Sequence, residues 1–131
     1  MPLPPDLHVA AIALVRDRRV LMVTARDRDV HYMPGGKIDP GETPAEAAAR
    51  EAHEEVGVEL DPAALAEAFT VRELAHGQAE GQHVFLAETD AAPAPSGEVG
   101  AVHWVGTADA HRCPPAGVEV LRRLAASGLI D

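Results

Sequence analysis

Residues 8–16 are almost continuously apolar, from His8 through Val9-Ala10-Ala11-Ile12-Ala13-Leu14-Val15 to Arg16. A run of that length and continuity predicts a buried strand. Asp17-Arg18 is a short polar break, and apolar character resumes over 19–25, so the two runs predict a β-hairpin. Residues 26–29 form a charged loop, and 30–33 predict a short strand. Further strands are predicted over 66–74 and 83–88, joined by a polar, Gly-containing connection, and over 101–105. Residues 58–60 extend briefly before Asp61-Pro62 starts a turn. Pro93 and Pro95 make 91–97 a loop, and 115–126 predicts a final helix stopped by Ser127-Gly128.

The pattern changes between 43 and 57. Thr43 reads as an N-cap, Pro44 as the first helical residue, Glu46 as the partner closing a capping box, and Gly57 as the C-terminal stop. Within these limits Ala45, Ala49, Ala52 and Val56 form a narrow apolar stripe. Beside it, Glu51, Glu54 and Glu55 follow i, i+3, i+4 spacing and share a face. Like charges on one face repel, so stability does not account for them. An acidic run can be no more than a solvated face; it can also hold a hard divalent cation, which takes oxygen ligands. The preceding segment, Met33 to Glu42, bears on the choice. It is a loop containing Gly35-Gly36, and glycines let backbone approach a ligand without a Cβ in the way. A glycine loop feeding a capped acidic helix points to a metal and phosphate site.

Gly36, Glu42 and the stretch Arg50-Glu51-Ala52-His53-Glu54-Glu55-Val56-Gly57-Val58 together resemble the complete Nudix box, spanning 36–58, with Ala52 standing where a larger aliphatic is usual. A sparser similarity to the MutT-type nucleoside triphosphate pyrophosphohydrolases covers nearly the whole chain. It rests on Thr24 and Arg26, on Pro34-Gly35-Gly36-Lys37-Ile38, on Glu98 six residues before Trp104, and on Pro114-Pro115-Ala116. The resemblance implies the Nudix α/β/α sandwich, an α/β fold of α+β type in which a mixed β-sheet is flanked by helices. Mixed strands with two distant helices agree with a sheet covered on both faces.

A chain of 131 residues is read as one domain, 1–131. No apolar run reaches membrane-spanning length, and the N-terminus carries no secretory pattern. The single cysteine, Cys113, fits a reducing compartment and is read as structural, so a cytoplasmic location is expected. The net charge of −10 argues against a basic surface for polymeric nucleic acid. No membrane partner is expected, and a homodimer is allowed. The same charge would repel an anionic phosphate substrate, so bound metal and a few local cations must offset it. Lys37 is the only lysine, and it sits inside the motif loop.

What the resemblance implies for chemistry is hydrolysis of a nucleoside diphosphate linked to a further group, with Mg²⁺ or Mn²⁺ as cofactor. Glu51, Glu54 and Glu55 would hold the metal with the backbone carbonyl of Gly35. Arg50 would orient these carboxylates, with Glu42 as its partner. Glu98 stands where the MutT-like pattern puts an acid, as metal ligand or base. Arg26 and Lys37 are candidates for substrate phosphates, and Tyr32 and Met33 for a wall beside the base. MutT-type enzymes selecting an oxidised guanine carry an asparagine after Pro-Pro-Ala; here Gly117 follows, and the chain has no asparagine. With one Trp, one Tyr and two Phe there is little to stack a base. The proline of ADP-ribose hydrolases and the downstream tyrosine of diadenosine polyphosphate hydrolases are both missing. The expected reaction is cleavage of a nucleoside triphosphate to monophosphate and pyrophosphate. Hydrolysis of a nucleoside diphosphate sugar or another pyrophosphate metabolite is the alternative, and a nucleotide-binding sensor without turnover is the alternative of another class.

Overall fold

The computed structural model describes residues 7–75 and 78–131. The first two strands, β1 (Leu7–Arg16) and β2 (Arg19–Ala25), form the expected hairpin, with Val15 opposite Val20 and Arg16 opposite Arg19. Both turn residues, Asp17 (φ 52°) and Arg18 (φ 63°), adopt the left-handed conformation that a tight two-residue turn requires. Arg18 is held there by a bond from its Nε to Asp131 Oδ1 at 2.7 Å.

The predicted strand at 30–33 is not formed. Only Tyr32 makes a single bridge, to Val23. The strand is instead β3 (Gly35–Lys37), inside the segment read as loop, antiparallel to the start of β1. The reason is local: a Cβ at Gly35 would lie 2.5 Å from the Ala10 carbonyl oxygen and 2.7 Å from Ala11 Cα. Only glycine allows the chain to close on β1 there. After helix α1 (Pro44–Val56) and a one-turn 3₁₀ helix at Pro62–Ala64, β4 (Ala66–Ala75) and β5 (Gln78–Ala87) pair antiparallel. They are longer than expected, consuming most of the predicted connection, whose residues 76 and 77 lie outside the described residues. β6 (Val99–Val105) starts two residues earlier than predicted. A 3₁₀ helix at Thr107–Arg112, not anticipated, leads into α2 (Pro115–Ala126).

The sheet order is β4-β5-β1-β2-β6, with β3 alongside β1. β1 runs parallel to β5 and antiparallel to β2 and β3, so the sheet is mixed. Side chains alternate between its faces. Ala10, Ile12 and Leu14 pack with Ala47, Ala48, Ala52 and Val56 of α1. Ala11 and Ala13 pack with Val120, Leu121 and Leu124 of α2. One helix therefore covers each face, the expected α/β/α sandwich. Among the described residues, no helix is long and apolar enough to cross a membrane.

Candidate active site

Helix α1 starts as its sequence dictates. Thr43 Oγ1 accepts from the Glu46 amide at 3.1 Å, and Glu46 Oε1 accepts from the Thr43 amide at 2.9 Å. Gly57, at φ 69°, ends it. The alanine face lies against the sheet, so the neighbouring face carrying Glu51, Glu54 and Glu55 meets β3 at the sheet's edge.

Arg50 is the hub of this face. Its Nε donates to Glu42 Oε2 at 2.8 Å and its Nη2 to Glu42 Oε1 at 3.0 Å, a two-pronged pair matched to the guanidinium fork. Its Nη1 reaches Glu51 Oε1 at 3.0 Å and Glu54 Oε2 at 3.3 Å. The Lys37 carbonyl accepts from Nη2 at 3.1 Å, and Asp39 Oδ2 stands 3.4 Å away. The arginine holds the Glu42 carboxyl below the usual carboxylate range, chiefly by direct hydrogen bonding. A solvated i, i+4 pair with Glu54 is therefore only one of its contacts.

Whereas Glu54 is exposed, Glu55, like Glu51, is partly buried. Burial is the main cause that pushes its carboxyl up to about 7, and repulsion from Glu51 and Glu54 adds to it; the Gly35 amide, donating to Glu55 Oε1 at 2.8 Å, works in the opposite direction. That amide faces away from β1. In an extended strand the carbonyl of the same residue points to the same side, so the Gly35 oxygen also points away from β1. At Gly36 a Cβ would lie 2.5 Å from Glu51 Oε1, so the glycine leaves room for that carboxylate.

Among the described residues, no three His, Cys, Asp or Glu side chains already converge on one point. Glu51 and Glu54 turn to Arg50 and Glu55 to Gly35. The donor set nevertheless suits a hard divalent cation: three carboxylates and a backbone carbonyl, all oxygen. The repulsion that raises Glu55 is what a cation would relieve.

Glu98 is exposed at the start of β6, and its carbonyl accepts from the Arg26 amide at 3.2 Å. The Tyr32 hydroxyl is pushed up by burial and then by the negative charges of Glu55 and Glu98, so the phenol stands near both. Arg26 and Lys37 are exposed at the ends of β2 and β3. Tyr32 packs with the α1-side core, whereas Met33, 7 % exposed, packs in the core on the α2 side. Gly117 is buried in the first turn of α2, where a Cβ would lie 2.9 Å from Cys113 Cβ. That position does not merely lack an amide side chain; it has no space for one without a shift. Sequence reasoning missed Asp39, the Lys37 carbonyl and the packing of Gly36 against Glu51, for which the paired glycines were the available signal.

The family model described as NUDIX domain matches residues 6–125. The chain is 36% identical over 121 residues to an isopentenyl-diphosphate Delta-isomerase of Streptomyces griseus, covering 81% of this chain and 60% of that protein. It is 41% identical over 57 residues to the 8-oxo-dGTP diphosphatase of Escherichia coli, covering 40% of this chain and 44% of that one. The chain thus spans about three fifths of the isomerase and under half of the diphosphatase. In structure it resembles the MutT protein of Methanosarcina mazei, with TM-score 0.75 and 19% identity, covering 97% of this chain and 99% of that one. This last likeness concerns the fold alone.

Proposed function

This chain belongs to the Nudix family, and we propose that it is a Mg²⁺- or Mn²⁺-dependent pyrophosphohydrolase acting on a nucleoside triphosphate to give the monophosphate and pyrophosphate. The observation that carries the reading is the joint between strand and helix: Gly35 bonded to Glu55, Gly36 leaving space for Glu51, and Arg50 gathering Glu42, Glu51 and Glu54. A solvated acidic face has no use for this arrangement. Glu51, Glu54, Glu55 and the Gly35 carbonyl would hold the metal. When bound, the metal supplies charge neutralisation at the phosphoryl oxygens and a lowered pKa for the attacking water. Phosphoryl transfer otherwise needs mainly positioning.

The chain's own residues supply that positioning. Arg50 fixes the carboxylates of Glu51 and Glu54 on one side of the helix. Glu54, held at 3.3 Å, keeps its side chain 55% exposed to water. Glu98 would serve as a further metal ligand or as base for the water. Arg26 and Lys37 meet substrate phosphates and offset the net charge of −10. The base end would fall beside Met33 and Gly117, both buried and neither carrying a side-chain hydrogen-bonding group for a base.

That last point supports a second reading, hydrolysis of a nucleoside diphosphate sugar or another pyrophosphate metabolite, because Gly117 leaves no space for an amide that would read a purine edge. A panel of nucleoside triphosphates, nucleoside diphosphate sugars and ADP-ribose, assayed with Mg²⁺ for nucleoside monophosphate formation and for pyrophosphate release, separates the readings. Pyrophosphate from triphosphates supports the first. Turnover confined to the sugars supports the second, and binding without turnover overturns both.

A further inference from the structure

The loop between β5 and β6 is built as a strap across the end of α1. Between Pro93 and Ser96 only Ala94 and Ser96 have backbone N–H groups, since prolines have none. Both are used on the same target: Ala94 donates to the Val56 carbonyl and Ser96 to the Glu55 carbonyl, each at 3.0 Å. Carbonyls in the last turn of a helix have no partner within it. Gly97, at φ 60°, passes so close that a Cβ would lie 3.2 Å from the Glu54 carbonyl oxygen. The strap therefore crosses the backbone of Glu54, Glu55 and Val56 in turn and delivers Glu98 immediately afterwards.

Its other end is held by one side chain. Arg16, at the end of β1, donates from Nη2 to the carbonyls of Thr89 and Ala91, the latter at 2.8 Å. Its guanidinium also lies over the Trp104 ring, 5.0 Å from the centroid. Trp104 in turn packs against the α1-side core. We propose that Arg16 is a positioning residue for catalysis: it anchors the strap that fixes Glu98 against the turn of α1 carrying Glu54 and Glu55. This rests on the role given to Glu98 above.

The test is a double-mutant cycle of Arg16→Ala and Glu98→Gln, with Arg16→Lys as the conservative variant. Initial rates are measured with Mg²⁺ and the triphosphate hydrolysed fastest in the panel above. Misplacing Glu98 by a fraction of an ångström should lower kcat about tenfold in Arg16→Ala with KM little changed, Arg16→Lys recovering part of the loss. Because both changes act through one carboxylate, the double variant should be no slower than Glu98→Gln alone. Amide hydrogen exchange at Ala94 and Ser96 should quicken in Arg16→Ala, whether or not substrate is turned over. Parent-like kcat in Arg16→Ala, additive losses in the double variant, or unchanged exchange at Ser96 would overturn the proposal. Parent-like kcat in Glu98→Gln would overturn it together with the role of Glu98, leaving the pyrophosphohydrolase reading intact. A parent protein that turns over no substrate in the panel would remove that reading instead, and the exchange measurement would still decide whether Arg16 anchors the strap.

Discussion

Gly35 donates its amide to Glu55 at 2.8 Å, a bond joining the glycine strand directly to the acidic face of the helix. It is made by a backbone group, so no side-chain substitution at residue 35 removes it directly. The neighbouring glycine is the better probe. A Cβ at Gly36 would meet the Glu51 carboxylate rather than backbone, and its φ is not in the left-handed region. The carboxylate can swing away, so Gly36→Ala should keep the fold. Restricting the unfolded chain could even stabilise it by about 0.4–1 kcal/mol. Turnover should still fall at least about tenfold, or about 1.4 kcal/mol of transition-state stabilisation. A normal melting temperature with normal kcat/KM would show that Glu51 need not sit where it does.

Glu55 gives a pH dependence whose sign can be worked out. Its folded pKa of about 7 lies above its ordinary value of 4.5, so the metal-free fold favours the protonated form. Stability contributed by that proton is present at pH 4.5 and is lost as pH rises toward 7. Glu42 and Glu119, both held low by arginines, slope the other way near pH 4.5, where their unfolded carboxyls still bind protons. His103, held down by burial and by the neighbouring His31 ring, also slopes the other way, between its lowered value and the ordinary imidazole value of 6.5. Comparing the parent with Glu55→Gln in chelator removes that background. The variant should lose less stability than the parent between pH 5 and pH 7.5, and Mg²⁺ should raise the melting temperature of the parent only. Identical profiles for the two would place the Glu55 titration elsewhere.

Arg50 tests geometry against charge. Its side chain is 28% exposed and Glu42's is 16%, so the pair is partly shielded, and the contacts use Nε, Nη1 and Nη2 separately. Lysine keeps the charge but cannot span Glu42, Glu51 and the Lys37 carbonyl at once. Arg50→Lys should therefore lose at least about tenfold in kcat/KM, close to the loss in Arg50→Ala. Parent-like kinetics in Arg50→Lys would reduce the residue to a point charge.

Base choice follows from Gly117. Without a side-chain amide, and with no space for one, the site should distinguish oxidised from ordinary guanine triphosphate by less than about tenfold in kcat/KM. Competition between the two at fixed Mg²⁺ measures the ratio. A preference of several hundredfold would mean that backbone atoms near α2 or a side chain such as Asp109 read the base.

Much of this was legible in the sequence where one residue type has one physical use. Thr43, Pro44, Glu46 and Gly57 bound the motif helix because each suits its cap position and little else. The acids at 51, 54 and 55 announced a shared face. The strand at Gly35–Lys37 was misread because glycine ordinarily signals a turn; only the tertiary fact that β1 has no space for a Cβ makes glycine a strand residue there. The strap at 91–97 read as an ordinary loop, since proline shows which amides are missing but not where the remaining ones go. Gly36 and Arg50 were recognised for their spacing, while the oxygens they serve became visible only once strand and helix met.

The alternation along β1 has a consequence for how this chain can change. Ala10, Ile12 and Leu14 belong to one helix and Ala11 and Ala13 to the other, so the strand is read in two interleaved frames at once. One residue inserted ahead of Ala10 would exchange the frames, presenting each helix with the set fitted to its opposite number. Point substitutions can drift through such a strand one frame at a time. Insertions and deletions cannot, and they should be confined to connections outside the strands.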